Sequence, residues 1–348
     1  MNELKIEDRT IGPNAPPCVI AELGVNHDGS VQRALELVTA AAGCGADAVK
    51  LQIFRATILL HASAGLAEYQ KNTRAESPID LLRKFELPAD DVRRVVQRIR
   101  ELKMIPLATP FSPADVEMVE QLRIPAIKIA SPDLVNRPLL ERAAATRKPL
   151  LISTGGATIE EVETTVGWLN QWNARFLLLH CVSAYPTPSD QANLCWISEL
   201  ARRFDCPIGY SDHTTSSFSG AFAVSAGACV IERHLTYDKA AKGPDHAASS
   251  DPREFERYVK LVREAQILRG TAGKKVLDIE QDVRKVSRQS LVARRTLKPG
   301  DTIRPEDLTV QRPGTGLPAA MITQTVGRRV IKPVNAGSLL QWDMLDAA

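Results

Sequence analysis

Residues 150–181 read LLISTGGATIEEVETTVGWLNQWNARFLLLHC, and this stretch contains the pattern that decides the fold. Two short apolar runs, Leu150–Gly155 and Phe176–Cys181, flank an amphipathic stretch, Ile159–Asn170, in which apolar residues recur at helical spacing. A strand that is buried on both faces reads as a continuous apolar run rather than an alternating one. The stretch therefore predicts a strand–helix–strand unit of parallel sheet.

The same unit recurs through the first 235 residues. Amphipathic stretches such as Val31–Gly43 and Pro88–Lys103 separate eight apolar runs. These runs are Cys18–Glu22, Ala48–Phe54, Ile105–Phe111, Ala126–Ser131, Leu150–Gly155, Phe176–Cys181, Pro207–Asp212 and Cys229–Leu235. Eight strands alternating with helices in about 250 residues are typical of a (β/α)8 TIM barrel, an α/β fold. A doubly wound open sheet is the alternative, but it predicts a glycine-rich fingerprint after the first strand, which GVNHDG at residues 24–29 does not match.

The chain changes character after the eighth run. We predict a TIM-barrel catalytic domain over residues 1–268, a charged linker over 269–288 and a small β-rich domain over 289–348. In the last of these, brief apolar segments alternate with turn sequences such as KPGD at residues 298–301. A domain of about 60 residues is marginal alone and would gain stability by docking on the barrel or on a partner subunit.

Composition excludes several classes of partner. The 348 residues include 44 Lys and Arg against 41 Asp and Glu, so the net charge of +3 gives no indication of nucleic acid or of an anionic membrane surface. The first ten residues, MNELKIEDRT, lack the apolar region of a secretory signal. No apolar stretch approaches the ~20 residues of a membrane span. We therefore expect a soluble, cytoplasmic protein.

Polar residues follow almost every predicted strand, and in this fold the active site lies at the carboxyl ends of the strands. They are Glu22, Asn26 and His27; Lys50 and Gln52; Thr109; Lys128, Ser131 and Asp133; Ser153 and Thr154; His180, Ser183 and Tyr185; Asp212 and His213; and Glu232 and His234. Two lysines among several hydroxyl groups suit a phosphorylated carboxylate. The alternative is that each lysine reaches the barrel rim or pairs with a carboxylate.

His213 and His234 follow two neighbouring strands, the seventh and the eighth. Because neighbouring strands lie ~4.8 Å apart, the two imidazoles can share one divalent ion, to which Asp133 could add an oxygen. Such ligands suit Mn²⁺, Fe²⁺, Co²⁺ or Zn²⁺, and the ion could polarise an aldehyde oxygen. A hydrogen-bonded histidine is the alternative, and we prefer it for His180. A metal-dependent hydrolase would need His-x-His after the first strand, which is missing.

Asp245 lies in the sequence GPDHA, after the last predicted strand. A Gly-Pro pair defines a turn, so this carboxylate either caps the following helix or, held over the barrel mouth, hydrogen-bonds a polyol. The residues alone leave these two interpretations equal.

Nine motifs between residues 20 and 316 resemble, in order, those of the N-acetylneuraminate (sialic acid) synthase family. They are IAELGVNHDG, GADAVKLQIF, ATPFS, IKIAS, LISTG, LLHCVSAYPTP, IGYSDHT, IERHLTYDKAAKGPDHAAS and QRPGTG. The C-terminal part looks like a type III antifreeze protein, that is, an antifreeze-like (SAF) domain. The resemblance covers nearly the whole chain.

The resemblance implies an enzyme that condenses phosphoenolpyruvate with an unphosphorylated N-acetylmannosamine-type sugar, using Mn²⁺ or a similar ion. In the implied mechanism, C3 of phosphoenolpyruvate attacks the metal-polarised aldehyde, water adds at C2 and C–O cleavage releases phosphate. The implied roles, by motif position, are phosphoenolpyruvate binding for Lys50, Lys128, Ser131 and Ser153; metal binding for His213 and His234; and sugar binding for Glu22, Gln52, Tyr185 and Asp245. Arg312 would reach from one subunit into the barrel of the other in a domain-swapped homodimer. Glu22 and Asp133 are both candidates for proton transfer.

Two departures from the family pattern bear on the substrate. The family commonly has Ser-Gly-Glu where this chain has Ser131-Pro132-Asp133, and many members carry Asn at the position of Ser183. A legionaminic or pseudaminic acid synthase acting on a diacetamido hexose is therefore an alternative. An octulosonate-phosphate-type aldolase, which must bind a second phosphate, is a further alternative. A carbohydrate- or ice-binding protein is the rival outside enzymes, but it would not need the polar strand ends.

Overall fold

The computed structural model describes residues 3–61 and 77–347. The chain forms two compact units, Met1–Thr271 and Ala272–Ala348. The first contains the predicted TIM barrel, and the second contains the predicted small β-rich domain.

A closed barrel of eight parallel strands forms the centre of the first unit, and the last strand pairs with the first. Seven of the eight predicted apolar runs contain one of these strands, and the first run, Cys18–Glu22, covers all but the last two residues of its strand, Cys18–Gly24. Nearly every strand residue is buried, because side chains fill the barrel on one face and helices cover the other. The strands of this unit are β1 (Leu4–Ile6), β2 (Arg9–Ile11), β3 (Cys18–Gly24), β4 (Ala48–Ile53), β5 (Ile105–Pro110), β6 (Ala126–Ile129), β7 (Leu150–Ser153), β8 (Phe176–Cys181), β9 (Ile208–Asp212) and β10 (Val230–His234), of which β3–β10 build the barrel.

Helices follow the barrel strands, and all but the last helix connect one strand to the next. They are α1 (Val31–Gly43), α2 (Ala56–Leu59), α3 (Pro78–Arg83), α4 (Ala89–Glu101), α5 (Pro113–Gln121), α6 (Arg137–Ala145), α7 (Ile159–Gln171), α8 (Cys195–Arg203), α9 (Ser219–Ser225) and α10 (Pro252–Arg269). Their starts follow local sequence signals. Asp251 and Glu254 form a capping box at the start of α10, where Pro252 occupies the first turn.

The amino-terminal hairpin, β1 and β2, closes one end of the barrel. Its buried side chains, Leu4, Ile6 and Ile11, belong to one apolar cluster with residues near the starts of the barrel strands, such as Ile20 and Leu107. The amino ends of the strands are therefore sealed by apolar packing. The polar side chains that could take part in chemistry lie at the carboxyl ends of the strands.

The second unit consists of α11 (Gln281–Ser287), β11 (Ser290–Ala293), β12 (Leu308–Gln311) and α12 (Ile322–Thr325), and β11 pairs with β12 in antiparallel fashion. Its small apolar core includes Leu291, Leu308 and Leu340. The backbone of α11 is tied to this unit because Gly314 N donates to Lys285 O at 2.8 Å. None of the helices in the described residues is long and apolar enough to span a bilayer.

Candidate active site

A cavity of about 280 Å³ opens at the carboxyl ends of the barrel strands. Its lining consists of Lys50, Gln52, Thr109, Phe111, Lys128, Ala130, Ser131, Pro132, Ser153, Cys181, Ser183, Tyr185, Ser211, His213, Glu232 and His234. Other hollows are larger, among them one of about 680 Å³ beside α10 and one of about 430 Å³ beside the amino-terminal hairpin. Because this fold places its reactive groups at the carboxyl ends of the strands, the smaller cavity is the candidate active site.

Two lysines and two glutamates form a buried charge network at this cavity. Lys50 Nζ lies 3.0 Å from Glu22 Oε2 and 3.0 Å from Glu232 Oε1. Lys128 Nζ lies 3.4 Å from the same Glu232 oxygen, to which Ser211 Oγ also donates a hydrogen bond at 3.0 Å. None of the four charged side chains is more than 6% exposed, so each charge is compensated within the protein. Both lysines thus face the cavity and also pair with a carboxylate.

Burial and the neighbouring charges shift the pKa of two members of the network. Burial lowers the pKa of Lys50 to about 7. The carboxylate of Glu232 opposes this shift, and the ammonium group of Lys128 adds to it. Burial acts to raise the pKa of Glu232, but the ammonium groups of Lys128 and Lys50 outweigh it and lower that pKa overall. An anionic ligand placed beside Lys50 would favour the charged form of the lysine.

Hydroxyl groups line the cavity beside the lysines, and two of them have no partner among the described residues. Ser131 Oγ accepts a hydrogen bond from Gly155 N at 3.1 Å. The buried oxygens Ser153 Oγ and Thr109 Oγ1 have no hydrogen-bond partner in the described part of the chain. A buried hydroxyl that is left unpaired costs about 1–3 kcal/mol, so these oxygens are suited to a polar ligand.

His213 and His234 lie side by side, with ring centroids 5.5 Å apart, and the ring of Tyr185 lies 4.1 Å from that of His213. His213 Nδ1 is 2.8 Å from Val182 O, which fixes the ring, and no hydrogen bond of Nε2 is seen among the described residues. His234 Nδ1 is buried without a hydrogen-bond partner among the described residues. Both imidazoles therefore have a nitrogen to offer a metal ion.

No group of three or more His, Cys, Asp or Glu residues within 3–61 and 77–347 has the arrangement of a metal site. His213 and His234 alone would supply only part of the coordination shell of a divalent ion. The hydrogen bond expected for His180 is present at one ring nitrogen, since Nε2 lies 2.8 Å from Ala192 O, whereas Nδ1 is buried without a hydrogen-bond partner in the described ranges.

Glu22, His234 and Asp245 converge at Gly24. A Cβ atom at Gly24 would lie 3.0 Å from Asp245 Oδ2, and 3.4 Å from both Glu22 Oε1 and His234 Nδ1. The side chain of Asp245 caps no helix: it makes no such bond to the following 3-10 turn, and Asp251 caps α10. Burial raises the pKa of Asp245 to about 6, although His213, His246 and Lys50 oppose the shift. The helix-cap interpretation of Asp245 therefore does not hold, and its carboxylate oxygen Oδ2 lies 3.6 Å from His234 Nδ1.

The remaining predicted residues fall into two groups. Gln52 and Ser183 line the cavity, and Gln52 Nε2 donates to Glu22 Oε1 at 3.4 Å. Four predicted residues are not part of the lining as far as the chain is described: Glu22, Asp133, Asp245 and Arg312. Glu22 and Asp245 lie directly behind it, since Glu22 Oε2 is 3.0 Å from Lys50 Nζ and Asp245 Oδ2 is 3.6 Å from His234 Nδ1. Asp133 Oδ1 accepts a hydrogen bond from Asn136 at 2.9 Å, so its carboxylate is engaged at the start of α6, and the expected oxygen ligand from Asp133 has no support. Arg312 is exposed and belongs to the second unit.

Sequence reasoning assigned no role to Glu232, which is central to the charge network. The signal for it was present in the alternation of the strand. Residues two apart on a strand face the same side, so Glu232 shares the inward face with His234.

Cys181 was also missed. Its Sγ lies 3.8 Å from His213 Nδ1. Burial acts to raise the pKa of this thiol, but His213 outweighs that effect and lowers the pKa to about 7.

Comparison with known proteins places the chain among sugar-acid synthases. It is 39% identical over 336 residues to the N,N′-diacetyllegionaminic acid synthase of Legionella pneumophila, covering 94% of each chain. It is 34% identical over 328 residues to the enzyme of the same name from Campylobacter jejuni, covering 93% of this chain and 98% of the relative. Among solved structures it resembles N-acetylneuraminic acid (sialic acid) synthetase from Leptospira borgpetersenii serovar Hardjo-bovis, in complex with citrate. That likeness has a TM-score of 0.74 at 30% identity and covers 81% of this chain and 95% of the other.

Family models divide the chain in the same way as the fold. The SAF domain model matches residues 288–346, and the NeuB family model matches residues 37–274, which is more than half of the chain. With the relatives above, these matches establish the family: the chain belongs to the NeuB family.

Proposed function

We propose that this protein condenses phosphoenolpyruvate with an unphosphorylated, N-acetylmannosamine-type amino sugar and releases phosphate, forming a sialic-acid-type product. The observation that carries the proposal is the pair of buried lysines, Lys50 and Lys128, at the cavity of a NeuB-family barrel. Two ammonium groups beside hydroxyls that have no partner in the described ranges suit a small, multiply charged anion.

Phosphoenolpyruvate would bind at the lysine side of the cavity. Its carboxylate and phosphate would contact Lys50 and Lys128, and the hydroxyl of Ser153 would donate to it, with Ser131 nearby. Glu232 keeps the two ammonium groups together before the ligand arrives. The site is therefore preorganised, and little rearrangement has to accompany binding.

A divalent ion, Mn²⁺ in our proposal, would be held by His213 and His234. The fit rests on the nitrogens that these two rings have to offer and on the open positions that two protein ligands leave. When bound, such an ion supplies Lewis-acid polarisation of the sugar carbonyl.

The amino sugar would lie on the side of the cavity where Glu22, Gln52 and Asp245 meet. Carboxylate and amide groups there can accept and donate hydrogen bonds to a polyol and to an N-acyl group. Tyr185 and Ser183 add a ring and a hydroxyl to the same cavity. We favour Glu22 over Asp133 for proton transfer, because Glu22 contacts two lining residues whereas Asp133 is engaged by Asn136.

In the proposed reaction, C3 of phosphoenolpyruvate forms a bond with the aldehyde carbon of the open-chain sugar. Positive charge then develops at C2, where water adds, and the C–O bond to the phosphate breaks. Lys50 and Lys128 stabilise the anionic carboxylate and phosphate throughout, in a buried site where such interactions are strong.

A second candidate substrate is a diacetamido hexose. The 39% identity with a protein named N,N′-diacetyllegionaminic acid synthase favours it. The chemistry at the two reacting carbons would be unchanged. Only the groups around the sugar, such as Ser183, would discriminate between the two.

We also propose that the active form is a domain-swapped homodimer in the cytoplasm, in which Arg312 of one subunit reaches the barrel of the other. The support is the exposed position of Arg312, directly after β12 in an SAF domain, together with the sequence resemblance described above. A guanidinium is suited to binding a carboxylate or phosphate in a fixed geometry.

The test is phosphate release from phosphoenolpyruvate with Mn²⁺ across a panel of sugars. The panel holds N-acetylmannosamine, its 6-phosphate, diacetamido hexoses and arabinose 5-phosphate. We expect release with one free amino sugar, abolished by a chelator and by Lys128→Met. The matched control, Lys148→Met, changes a partly exposed lysine that precedes β7 and should remain active. Release with only a phosphorylated sugar would favour the octulosonate-phosphate-type reaction instead, and silence with every sugar would refute the proposal.

A further inference from the structure

The segment between β10 and α10 carries Asp245 but has little regular structure of its own. Its one short element is the 3-10 turn His246–Ala248. Asp245, His246 and Ser249 are all buried nevertheless. A buried loop needs neighbours to satisfy its polar groups, and those neighbours determine where the Asp245 carboxylate lies.

The first of these contacts joins His246 to Asp28, in the loop after β3. His246 Nε2 lies 3.0 Å from Asp28 Oδ1, and His246 Nδ1 lies 2.7 Å from Thr236 Oγ1. Since both ring nitrogens are engaged, the ring is fixed in orientation as well as in position. Asp28 Oδ2 also accepts hydrogen bonds from Tyr237 at 2.9 Å and from Arg33. Asp28 thus contacts this segment on both sides of Asp245: at Tyr237, which precedes it in the chain, and at His246, which directly follows it.

The second contact runs through Asn26, which is fully buried. Asn26 Nδ2 donates to Leu235 O at 3.0 Å and to Ser249 Oγ at 2.8 Å. Ser249 Oγ in turn donates to the backbone oxygen of Asp245 at 2.7 Å. This chain of hydrogen bonds ends on Asp245, whose Oδ2 lies 3.6 Å from Nδ1 of the lining residue His234.

Two glycines leave room for this arrangement. A Cβ atom at Gly243 would lie 2.6 Å from His246 Cδ2, and a Cβ atom at Gly24 would lie 3.0 Å from Asp245 Oδ2. Both distances are too short for ordinary packing, so any side chain there would displace the histidine or the carboxylate. The local backbone is therefore shaped around these two groups.

We name Asn26, Asp28 and His246 the latch residues. We propose that the latch residues position the Asp245 carboxylate beside His234 and thereby set the affinity of the site for the amino sugar. This inference rests on the proposed function, in which Asp245 contacts the sugar. The lysines that would bind phosphoenolpyruvate are held by Glu22 and Glu232 instead. Affinity for phosphoenolpyruvate should therefore not depend on the latch.

The kinetic test uses two substitutions at Asp28, whose φ of +48° both tolerate. Asp28→Gly removes the carboxylate, whereas Asp28→Asn keeps an acceptor oxygen in the same place. We expect Asp28→Gly to raise KM for the amino sugar roughly 10-fold, which is about 1.4 kcal/mol. KM for phosphoenolpyruvate should change by less than about twofold. Asp28→Asn should restore most of the loss.

A double-mutant cycle separates positioning from a general structural effect. In an Asp245→Asn background, Asp28→Gly should add less than about twofold to KM for the sugar, because the carboxylate it positions is already gone. Full additivity, or an equal rise in KM for both substrates, would overturn the proposal.

Hydrogen exchange tests the latch without any substrate. In Asp28→Gly the amides of residues 246–250 should exchange faster than in the unsubstituted protein, whereas Asp28→Asn should resemble it. Lys239→Gln is the matched control, because Lys239 lies in the same segment but pairs at 2.8 Å with Glu254, outside the latch. Unchanged exchange in Asp28→Gly would overturn the positioning claim. If the unsubstituted enzyme turned over no amino sugar, the proposed function would be contradicted, and so would the claim that the latch sets the affinity for the sugar. Hydrogen exchange would still test whether the latch residues position Asp245.

Discussion

Replacing Glu232 by glutamine removes the negative charge that two buried lysines share, while the shape of the side chain is kept. Glu232 Oε1 lies 3.0 Å from Lys50 Nζ and 3.4 Å from Lys128 Nζ. Lys50 keeps a second partner, Glu22, at 3.0 Å. For Lys128, no other carboxylate lies within 4 Å in the described ranges. Glu232→Gln therefore leaves one buried positive charge uncompensated.

The cost of that charge can be estimated. Removing one partner of a buried ion pair destabilises a protein by about 3–5 kcal/mol. We expect the lower end, about 3 kcal/mol, because Lys50 retains Glu22. For a domain of this size, that loss lowers Tm by roughly 6–12 °C. The exposed pair of Glu256 and Lys260 provides the control, since Glu256→Gln should cost less than about 0.5 kcal/mol.

The assay is thermal unfolding with and without phosphoenolpyruvate. An anionic ligand supplies the charge that Glu232→Gln has removed, so saturating phosphoenolpyruvate should raise Tm more in the variant than in the unsubstituted protein. A variant that unfolds at the same temperature as the unsubstituted protein would refute the reasoning about the buried charge. An equal or smaller ligand shift in the variant would refute the placement of phosphoenolpyruvate at these lysines.

Three further predictions address other parts of the molecule. Arg312→Ala should still form a dimer and bind phosphoenolpyruvate, as measured by calorimetry, but it should lose most of its condensation activity. Full activity in this variant would contradict a role for Arg312 in the active site. Elemental analysis should show that His213→Ala loses bound Mn²⁺, whereas the control His180→Gln retains it. An unchanged metal content in His213→Ala would contradict the assignment of His213 as a metal ligand. His27, whose pKa burial lowers from 6.5 to about 4, favours folding in its neutral form, so its contribution to stability is complete above pH 6.5 and is lost as the pH falls towards 4. The free energy of unfolding lost over this pH range amounts to about 3 kcal/mol. Denaturant titrations of His27→Asn should not show this loss. If the free energy of unfolding depended on pH in the same way in the variant and in the unsubstituted protein, the prediction would be contradicted.

The barrel was predictable because its strands are buried on both faces, and each such strand leaves a continuous apolar run in the sequence. The amino-terminal hairpin was not predicted. Its strands, Leu4–Ile6 and Arg9–Ile11, have three residues each. That is too short for any periodicity to show, and their pairing with each other and packing against the barrel are what stabilise them.

The candidate site was partly predictable for a topological reason: the carboxyl ends of all parallel strands in a barrel meet at one face. Nine of the predicted side chains line the cavity for this reason. The pairing within the site was not predictable. Lys50 and Glu232 are 182 residues apart in sequence, and they meet only because β10 pairs with β3 and closes the barrel.

The position of Asp133 depended on the detailed geometry of a turn, which spacing alone does not give. A 3-10 turn follows β6 directly, and within it the carboxylate accepts a hydrogen bond from Asn136. The strand-end rule places a residue near the barrel mouth but does not say which way a turn directs its side chain. Asp245 shows the same limit, because its orientation follows from contacts with residues that are distant in sequence.

The central claim, condensation with C–O cleavage, is tested most directly with phosphoenolpyruvate that carries ¹⁸O in the bridge between C2 and phosphorus. The labelled substrate is incubated with Mn²⁺ and each free amino sugar, and the released phosphate is analysed by mass spectrometry. The account predicts that phosphate appears only when a suitable sugar is present and that it carries the ¹⁸O. Unlabelled phosphate, or release that does not depend on the sugar, would contradict it.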